Sequence, residues 1–468
     1  MTTEVPPVYY NNDTHSFGFL TARSRWPKII ITAIEDVKLE ISNNSSSNSS
    51  SNSSKSIQGS KIVSALENLE KSLLNNEIIK PFNKHNIPCL DSYDETLLKF
   101  SKENDGKPID WLTGPWLFIE CYLYRYIDAE IKSQSEWLNF DIFERLKRET
   151  FQSSSLGIYE LAIRYKQLNE EINSKDASNI DNDTLKLLFE EFIDISLWGN
   201  ATDLSLLANA SLEDIKSVQG KEARLKSAKN ILCNDLPEAW NHLLSIEDIK
   251  KRRVDFVLDN AGFEFYTDLI LSLFLLDSNL VNEVVFHCKT RPWMVSDTMV
   301  KDYQLFIEYM TDKSFFKEHH EELNFVVEKI EEYRKLNKFK LVDSEFWTCD
   351  LDYWNINKNE TKYGGAELYN YFQDSSLVIV KGDLNYRKLT GDRHWPRDTP
   401  FKSAIDGLSS SNINILALRT CKADVCAGLP KGKDEELIEY WKSLGNEIGE
   451  LWCSSGKWAV ISFSNGKN

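Results

Sequence analysis

The chain has 468 residues, 41% of them hydrophobic and 12% aromatic, and a formal net charge of −17. That length and apolar content suit a large core and two or three domains, and no apolar run reaches the ~18 residues of a membrane span. No lysine or arginine cluster is dense enough for a nucleic-acid face, so an anion that binds here must meet positive charge placed locally.

In chain order, the N-terminus Met1-Thr2-Thr3-Glu4-Val5-Pro6-Pro7 has no basic region followed by an apolar one. No secretory signal is expected, and the cytoplasm is the expected compartment. Residues 42–56 are nearly all serine and asparagine. They cannot bury apolar area and are expected to form a disordered insert. Ile62, Leu66, Leu69 and Leu73 fall on one helical face. Gly114 to Arg125 reads as a strongly apolar helix carrying Glu120 and Arg125, whose spacing suggests a buried ion pair. Thr184 to Trp198 reads as another helix. Trp198-Gly199-Asn200-Ala201-Thr202-Asp203 then reads as a helix end followed by a new helix cap. This predicts a mainly helical region over residues 1–248.

The texture changes beyond Asp248. Val254–Leu258, Val284–His287, Leu377–Val380, Ile415–Leu418 and Trp458–Phe463 are short β-branched or aromatic runs. Helical stretches separate most of them, and Asp302 to Lys335 is the longest. Alternating strands and helices predict a parallel, doubly wound sheet. The expected fold is therefore α/β: a helical N-terminal half packed on a mostly parallel α/β/α sheet domain over residues 249–468.

Three of these strands stop on polar clusters. Asp259-Asn260-Ala261-Gly262-Phe263-Glu264 follows the first, Lys381-Gly382-Asp383-Leu384-Asn385-Tyr386-Arg387 the third, and Arg419-Thr420-Cys421-Lys422 the fourth. Open α/β sheets bind ligands at the carboxyl ends of their strands. Asp259 and Asn260 are adjacent hard-oxygen ligands suited to Mg²⁺ or Mn²⁺; a single helix cap needs only one such residue. Asp297 follows the second strand and reads alone as a cap, or with Asp259 as a third ligand. Gly382 permits close backbone approach, and Asp383, Asn385 and Arg387 suit polar substrate groups. Lys422 is a compact charge for a phosphoryl group, whereas Arg419 reads equally well as half of a structural ion pair. The eight cysteines read as reduced thiols. No Walker loop, HExxH or glycine-rich dinucleotide turn is present.

Taken together, these motifs resemble the metal-dependent damage-control phosphatases. Arg-Thr-x-Lys at 419–422 points to the branch that includes acidic-residue methyltransferase-like proteins and a fungal sugar-phosphate phosphatase. Pro115 to Tyr122 and Trp198 to Asp203 share the resemblance. It implies a divalent metal (Mg²⁺, Mn²⁺, Co²⁺ or Ni²⁺) on Asp259, Asn260 and Asp297, with Asp259 and Asp383 as catalytic carboxylates. It implies a substrate site of Glu120, Asn200, Asp383, Leu384, Asn385, Tyr386, Arg387 and Lys422. The implied activity is hydrolysis of small phosphorylated metabolites, ketose phosphates such as fructose 1-phosphate. The runner-up for the same branch is S-adenosylmethionine-dependent carboxyl methylation of protein glutamates. A hard-oxygen metal site beside two cations fits phosphate better than an adenosine pocket without a glycine loop.

Overall fold

A computed structural model describes residues 4–45, 50–82, 87–172, 181–199 and 228–467. Their seven strands form one sheet in the order β1-β7-β6-β5-β2-β3-β4. The strands are β1 Ile231–Asn234, β2 Arg253–Val257, β3 Glu283–Cys288, β4 Phe339–Asp343, β5 Leu377–Lys381, β6 Ile415–Thr420 and β7 Ala459–Ser464. β2 to β6 are mutually parallel; β7 runs antiparallel to β6 and carries β1 parallel to itself. The expected α/β sheet is present and mostly parallel.

Helices cover both faces. Before the sheet come α1 Trp26–Ser45, α2 Ser50–Leu74, α3 Leu90–Glu103, α4 Trp116–Lys132, α5 Glu144–Ser153, α6 Ser155–Ile172 and α7 Asn182–Trp198. Interleaved with the strands are α8 Leu236–Ser245, α9 Phe263–Asp277, α10 Val300–Thr311, α11 His320–Lys335, α12 Gly365–Phe372, α13 Gly382–Thr390 and α14 Lys433–Ser443. The central strands are buried on both sides, so their residues sort by pleat rather than by polarity. Val257, Val378, Val380 and Ala417 face a core shared with α1 to α4. Phe256, Ile379, Leu416 and Leu418 face a second core shared with α6, α7, α9 and α11. Each core draws on residues from both sides of Asp248.

Several expectations need correction. β1 lies before Asp248, and β4 had no counterpart among the expected strands. Both are short edge strands: β1 has one buried residue in four, and β4 one in five. A half-exposed edge strand lacks the continuous apolar run of a central one. The expected helix from Asp302 to Lys335 is two helices. Between them Asp312 Oδ1 accepts from Ser314 N (2.7 Å) and Ser314 Oγ (2.8 Å), a local turn that competes with the helix. The serine–asparagine stretch is not wholly irregular: residues 42–45 finish α1 and residues 50–56 begin α2. Here the backbone is tied down, because Trp137 Nε1 donates to Lys55 O (3.0 Å) and Lys55 Nζ reaches Glu40 Oε1 (2.5 Å).

At the centre of the second core Phe286 on β3 meets Phe256 (5.1 Å between ring centroids), Phe265 (5.9 Å) and Phe339 (5.0 Å). Phe286 is fully buried. Phe286→Ala is therefore expected to cost about 3–5 kcal/mol of stability, read as a lowered urea midpoint.

Candidate functional site

The chain reverses direction across the sheet between β2 and β5. From β2 it steps outward to β3 and β4, then returns to β5 on the other side. The carboxyl ends of β2 and β5 thus form the crevice where open α/β sheets hold ligands. Asp259 leaves β2 there, and Gly382 opens α13 directly after β5. Gly382 has φ +82°, and a Cβ placed on it would stand 1.9 Å from Asp259 Oδ2. No other residue type fits that contact without displacing the carboxylate.

The loop after β3 is stitched to the loop after β2. Thr298 N donates to Asp259 O (2.8 Å), Ala261 N donates to Ser296 O (2.6 Å), and Asn260 pairs with Asp297 in an isolated bridge. This brings Asp259, Asn260 and Asp297 together, as the sequence suggested. Met294 and Val295, just upstream, have φ of +44° and +74°. For a β-branched residue that is an outlier, and this backbone strain sits beside the ligand loop.

Around the trio, four carboxylates are buried: Asp259, Glu264, Asp268 and Asp297. Two lysines are buried among them. Lys381 Nζ pairs with Asp268 (3.0 Å) and Glu264 (3.6 Å), and donates to Ser196 Oγ (2.6 Å). Lys289 Nζ lies 3.3 Å from Asp297 Oδ2 but donates to Leu258 O (2.8 Å) and Asn385 Oδ1 (3.3 Å). Four negative charges against two positive leave a deficit that one divalent cation offsets. The titration shifts have the same origin. Burial, then Glu264 and Asp297, push the Asp259 carboxyl well above its ordinary value. Burial pushes Asp297 and Asp268 up to about 6, against the pull of Lys289 and Lys381 respectively. A cation must displace those protons, so its affinity rises with pH through this range.

The donor set fits a hard divalent ion. Asp297 Oδ2 is buried and makes no well-aligned hydrogen bond, with the Lys289 ammonium 3.3 Å away. Asn260 turns its Nδ2 toward Asp259 Oδ2 (2.7 Å) and Glu264 Oε2 (2.9 Å), while Ser296 Oγ donates to its Oδ1 (2.5 Å). Ligation through Oδ1 needs the amide to turn over, and the Ser296 hydroxyl can then accept from Nδ2. Among the described residues no group of three or more His, Cys, Asp or Glu side chains is spaced for a metal. The set here has two carboxylates and an amide.

The remaining predicted residues separate into those at the crevice and those behind it. Asp383 is half-exposed; its Oδ1 accepts from Arg419 Nε (2.8 Å) and from Lys422 N (2.9 Å). Lys422 is half-exposed and close enough to Asp259 to pull its carboxyl downward. Residues 383–387 are not a polar loop but the opening turns of α13. Asn385 is a buried strut: Nδ2 donates to Lys381 O (2.7 Å) and Leu258 O (3.0 Å), and Oδ1 accepts from Tyr353 Oη (2.5 Å). Leu384 and Tyr386 are buried in the first core. The Arg387 guanidinium is committed to Asp392 (3.1 Å to each oxygen) and Glu120 (2.6 Å) and lies 3.7 Å over the Trp116 ring. Its charge is neutralised within the protein, so neither Arg387 nor Glu120 supplies spare charge. Asn200 lies outside the described residues. Sequence reasoning placed Lys381 in the polar cluster after β5 without giving it a role, and passed over Lys289. Cys288-Lys289-Thr290-Arg291 follows a strand just as Arg419 to Lys422 does, and that parallel was the available signal.

A family model described as the damage-control phosphatase ARMT1-like domain matches residues 21–437. Relatives described as damage-control phosphatase ARMT1 from Macaca fascicularis and Homo sapiens are each 32% identical, the match covering 98% of this chain and 98% of each relative. The Danio rerio relative of the same description is 29% identical over 96% of this chain and 95% of its own. A solved DUF89 family protein from Pyrococcus horikoshii aligns at TM-score 0.34 and 14% identity over 80% of this chain and 89% of its own, too slight a likeness to bear on the argument.

Gly382→Ala places a methyl group against the Asp259 carboxylate. Because misplacing a reacting group by an ångström costs roughly a hundredfold in rate, kcat/KM is expected to fall at least that far. Circular dichroism of the variant is expected to match the parent.

Proposed function

This chain belongs to the ARMT1-like damage-control phosphatase family, and from that premise we propose that it is a metal-dependent phosphomonoester hydrolase acting on small sugar phosphates, ketose phosphates such as fructose 1-phosphate among them. The observation that carries this reading is the buried charge deficit at the sheet's switch point, with Lys422 beside it. A divalent cation held by Asp259, Asn260 and Asp297 supplies charge for a phosphoryl oxygen and for the equatorial charge of phosphoryl transfer. Mg²⁺, Mn²⁺, Co²⁺ and Ni²⁺ all suit two carboxylates and an amide oxygen.

The chain's own groups have separable tasks. Lys422 contacts the phosphoryl group from the β6 side. The backbone N–H groups opening α13 point toward the same crevice, as a helix N-terminus does for an anion. Asp383, its Oδ1 saturated by Arg419 and Lys422 N, is oriented as a carboxylate toward the substrate or its attacking water. Asn385 and Lys289 hold α13, β2 and the Asp297 loop in register. The methyltransferase alternative is not favoured: the relatives carry the phosphatase description, and β2 runs straight into Asp259-Asn260 without a glycine-rich turn. All eight cysteines are free thiols, which supports a reducing compartment such as the cytoplasm. No helix among the described residues is long and apolar enough to cross a membrane.

Two outcomes are expected. EDTA is expected to abolish phosphate release from fructose 1-phosphate, and Mn²⁺, Mg²⁺ or Co²⁺ to restore it; Asp259→Ala is expected to lose both activity and calorimetric metal binding while remaining folded. Full activity in EDTA would sink the metal assignment. Lys422→Ala removes a charge-assisted contact worth about 1.5–3 kcal/mol. It is expected to lower kcat/KM by roughly one to two orders of magnitude with little change in Tm. A large loss of Tm with activity retained would make Lys422 a structural residue.

A further inference from the structure

The loop that carries Lys422 is held from two sides, and one of them is the N-terminal segment of the chain. Asp424, just beyond Lys422, is buried. Phe17 N donates to both of its carboxylate oxygens, Oδ1 at 3.0 Å and Oδ2 at 2.9 Å, across 407 residues of sequence. On the other side Lys422 N donates to Asp383 Oδ1 (2.9 Å), and the Arg419 guanidinium donates to Ala423 O (3.1 Å) and Val425 O. Those ties run inward, to α13 and to β6 itself. Asp424 ties the loop outward.

The N-terminal segment is a firm abutment for that tie. Tyr9 N donates to Asp392 O (3.1 Å), Trp116 N to Tyr9 O (2.9 Å) and Asn11 N to Gly114 O (2.9 Å), which joins the segment to the turn after α13 and to the start of α4. Gly18 packs on the Trp116 ring, where a Cβ would stand 2.8 Å from Cδ2. The same ring carries the Arg387 guanidinium at 3.7 Å. Farther along, Trp26 Nε1 donates to Glu120 Oε1 (3.3 Å). Residues 9–26 therefore reach α4, the end of α13 and, through Asp424, the loop after β6.

We propose that Asp424 is a positioning residue for Lys422, hanging the loop after β6 on the N-terminal segment so that the lysine is presented to the crevice. This role rests on the reading of Lys422 as a phosphate contact. A lysine is a point charge on a flexible four-carbon stem, so where its backbone is fixed decides what the charge can reach. Displacing a group that contacts the reacting centre by an ångström costs of order a hundredfold in rate. A buried carboxylate that accepts a backbone N–H is a strong, charge-assisted tie. Burial pushes the Asp424 carboxyl up to about 7, and the Phe17 N–H pulls the other way. The contact thus offsets part of the cost of burying the charge.

Phe17 allows the tie to be separated from the side chain. It is the first residue of the short helix Phe17–Leu20, and Ser16 before it is extended, at φ −93° and ψ 153°. Proline is favoured at a first helical position, because its fixed φ suits a helix start and its missing N–H has no partner within the helix. An extended preceding residue is also what a proline requires. Phe17→Pro therefore deletes the N–H that Asp424 uses while leaving the helix start intact. Phe17→Ala keeps the N–H and loses only the ring, which meets Trp116 edge-on at 6.1 Å.

The test compares Asp424→Ala, Phe17→Pro and Phe17→Ala in the full chain, with and without Lys422→Ala, using fructose 1-phosphate as the probe. Asp424→Ala and Phe17→Pro are each expected to lower kcat/KM about tenfold, the size of one lost charge-assisted hydrogen bond. Phe17→Ala is expected to keep the parent's kcat/KM, and Asp424→Asn, which retains an acceptor, to recover most of the loss. In the Lys422→Ala background the same changes are expected to cost little further, because the group they position is gone. An equal fold loss with and without Lys422 would mark a general structural role and overturn the proposal. So would a parental kcat/KM for Phe17→Pro. Hydrogen exchange gives a readout that needs no substrate: the amides of residues 421–428 are expected to exchange faster in Phe17→Pro than in Phe17→Ala. Equal exchange there would overturn the tie even in an active enzyme. Faster exchange in a chain that hydrolyses no sugar phosphate would remove the phosphatase reading and leave the tie standing.

Discussion

A shortage of two positive charges, enclosed between the ends of β2 and β5, is the constraint around which this site is built. Four carboxylates and two lysines are buried there together. Uncompensated buried charge is expensive, and the carboxyls of Asp259, Asp268 and Asp297 are all pushed upward by it. Every neighbouring device serves to keep that unfavourable cluster together. The bridge between Asn260 and Asp297 joins two loops, Gly382 lets α13 start against Asp259, and Asn385 ties α13 back to β2. The folded core absorbs the cost, as expected where binding and not stability is the purpose of a cluster.

A second tier of ion pairs surrounds the first with the opposite character. Arg387 with Glu120 and Asp392, and Arg419 with Asp383, are paired directly and hydrogen-bonded on several sides, with no surplus positive charge. They join the helical half to the sheet: Glu120 lies on α4 and Arg387 on α13. Removing one partner of such a pair leaves a buried charge alone, which costs more than the pair contributes. Charge signs in the motif alone do not distinguish the two tiers. The number of partners does.

That distinction explains what could be read from the sequence. The central strands were legible because burial on both faces forces unbroken apolar runs. Asp259 and Asn260 stood out in the sequence because they follow such a run directly. β1 and β4 were hidden, since a half-solvated edge leaves no such run. Arg387 reads in the sequence as spare positive charge because its partner, Glu120, lies far away in the chain. Leu384 and Tyr386 carry a motif's spelling but point into the first core, since a helix turns successive residues to different faces. Lys289 was passed over for a plainer reason. Its role as the tie between Leu258, Asn385 and Asp297 exists only in three dimensions.

β7 is the last strand in the chain but not the last in the sheet; it lies between β6 and β1. Strand β1 pairs with β7 alone. During synthesis, then, residues 231–234 emerge long before their partner at 459–464 exists. The strands that lead into Asp259, Asn260 and Asp297, β2 and β3, can pair as soon as both are made, whereas β1 waits for nearly half the chain. Chains folding vectorially expose such unpaired edges to wrong partners. The polar ending of β1 at Asn234 and the acidic Asp235 behind it make that wait less hazardous. A nascent chain halted before β7 would hold Asp259, Asn260 and Asp297 but would lack both the outer neighbour of β6 and a partner for β1. Arrival of β7, rather than of the Asp259 and Asp297 loops, is the event that closes the sheet.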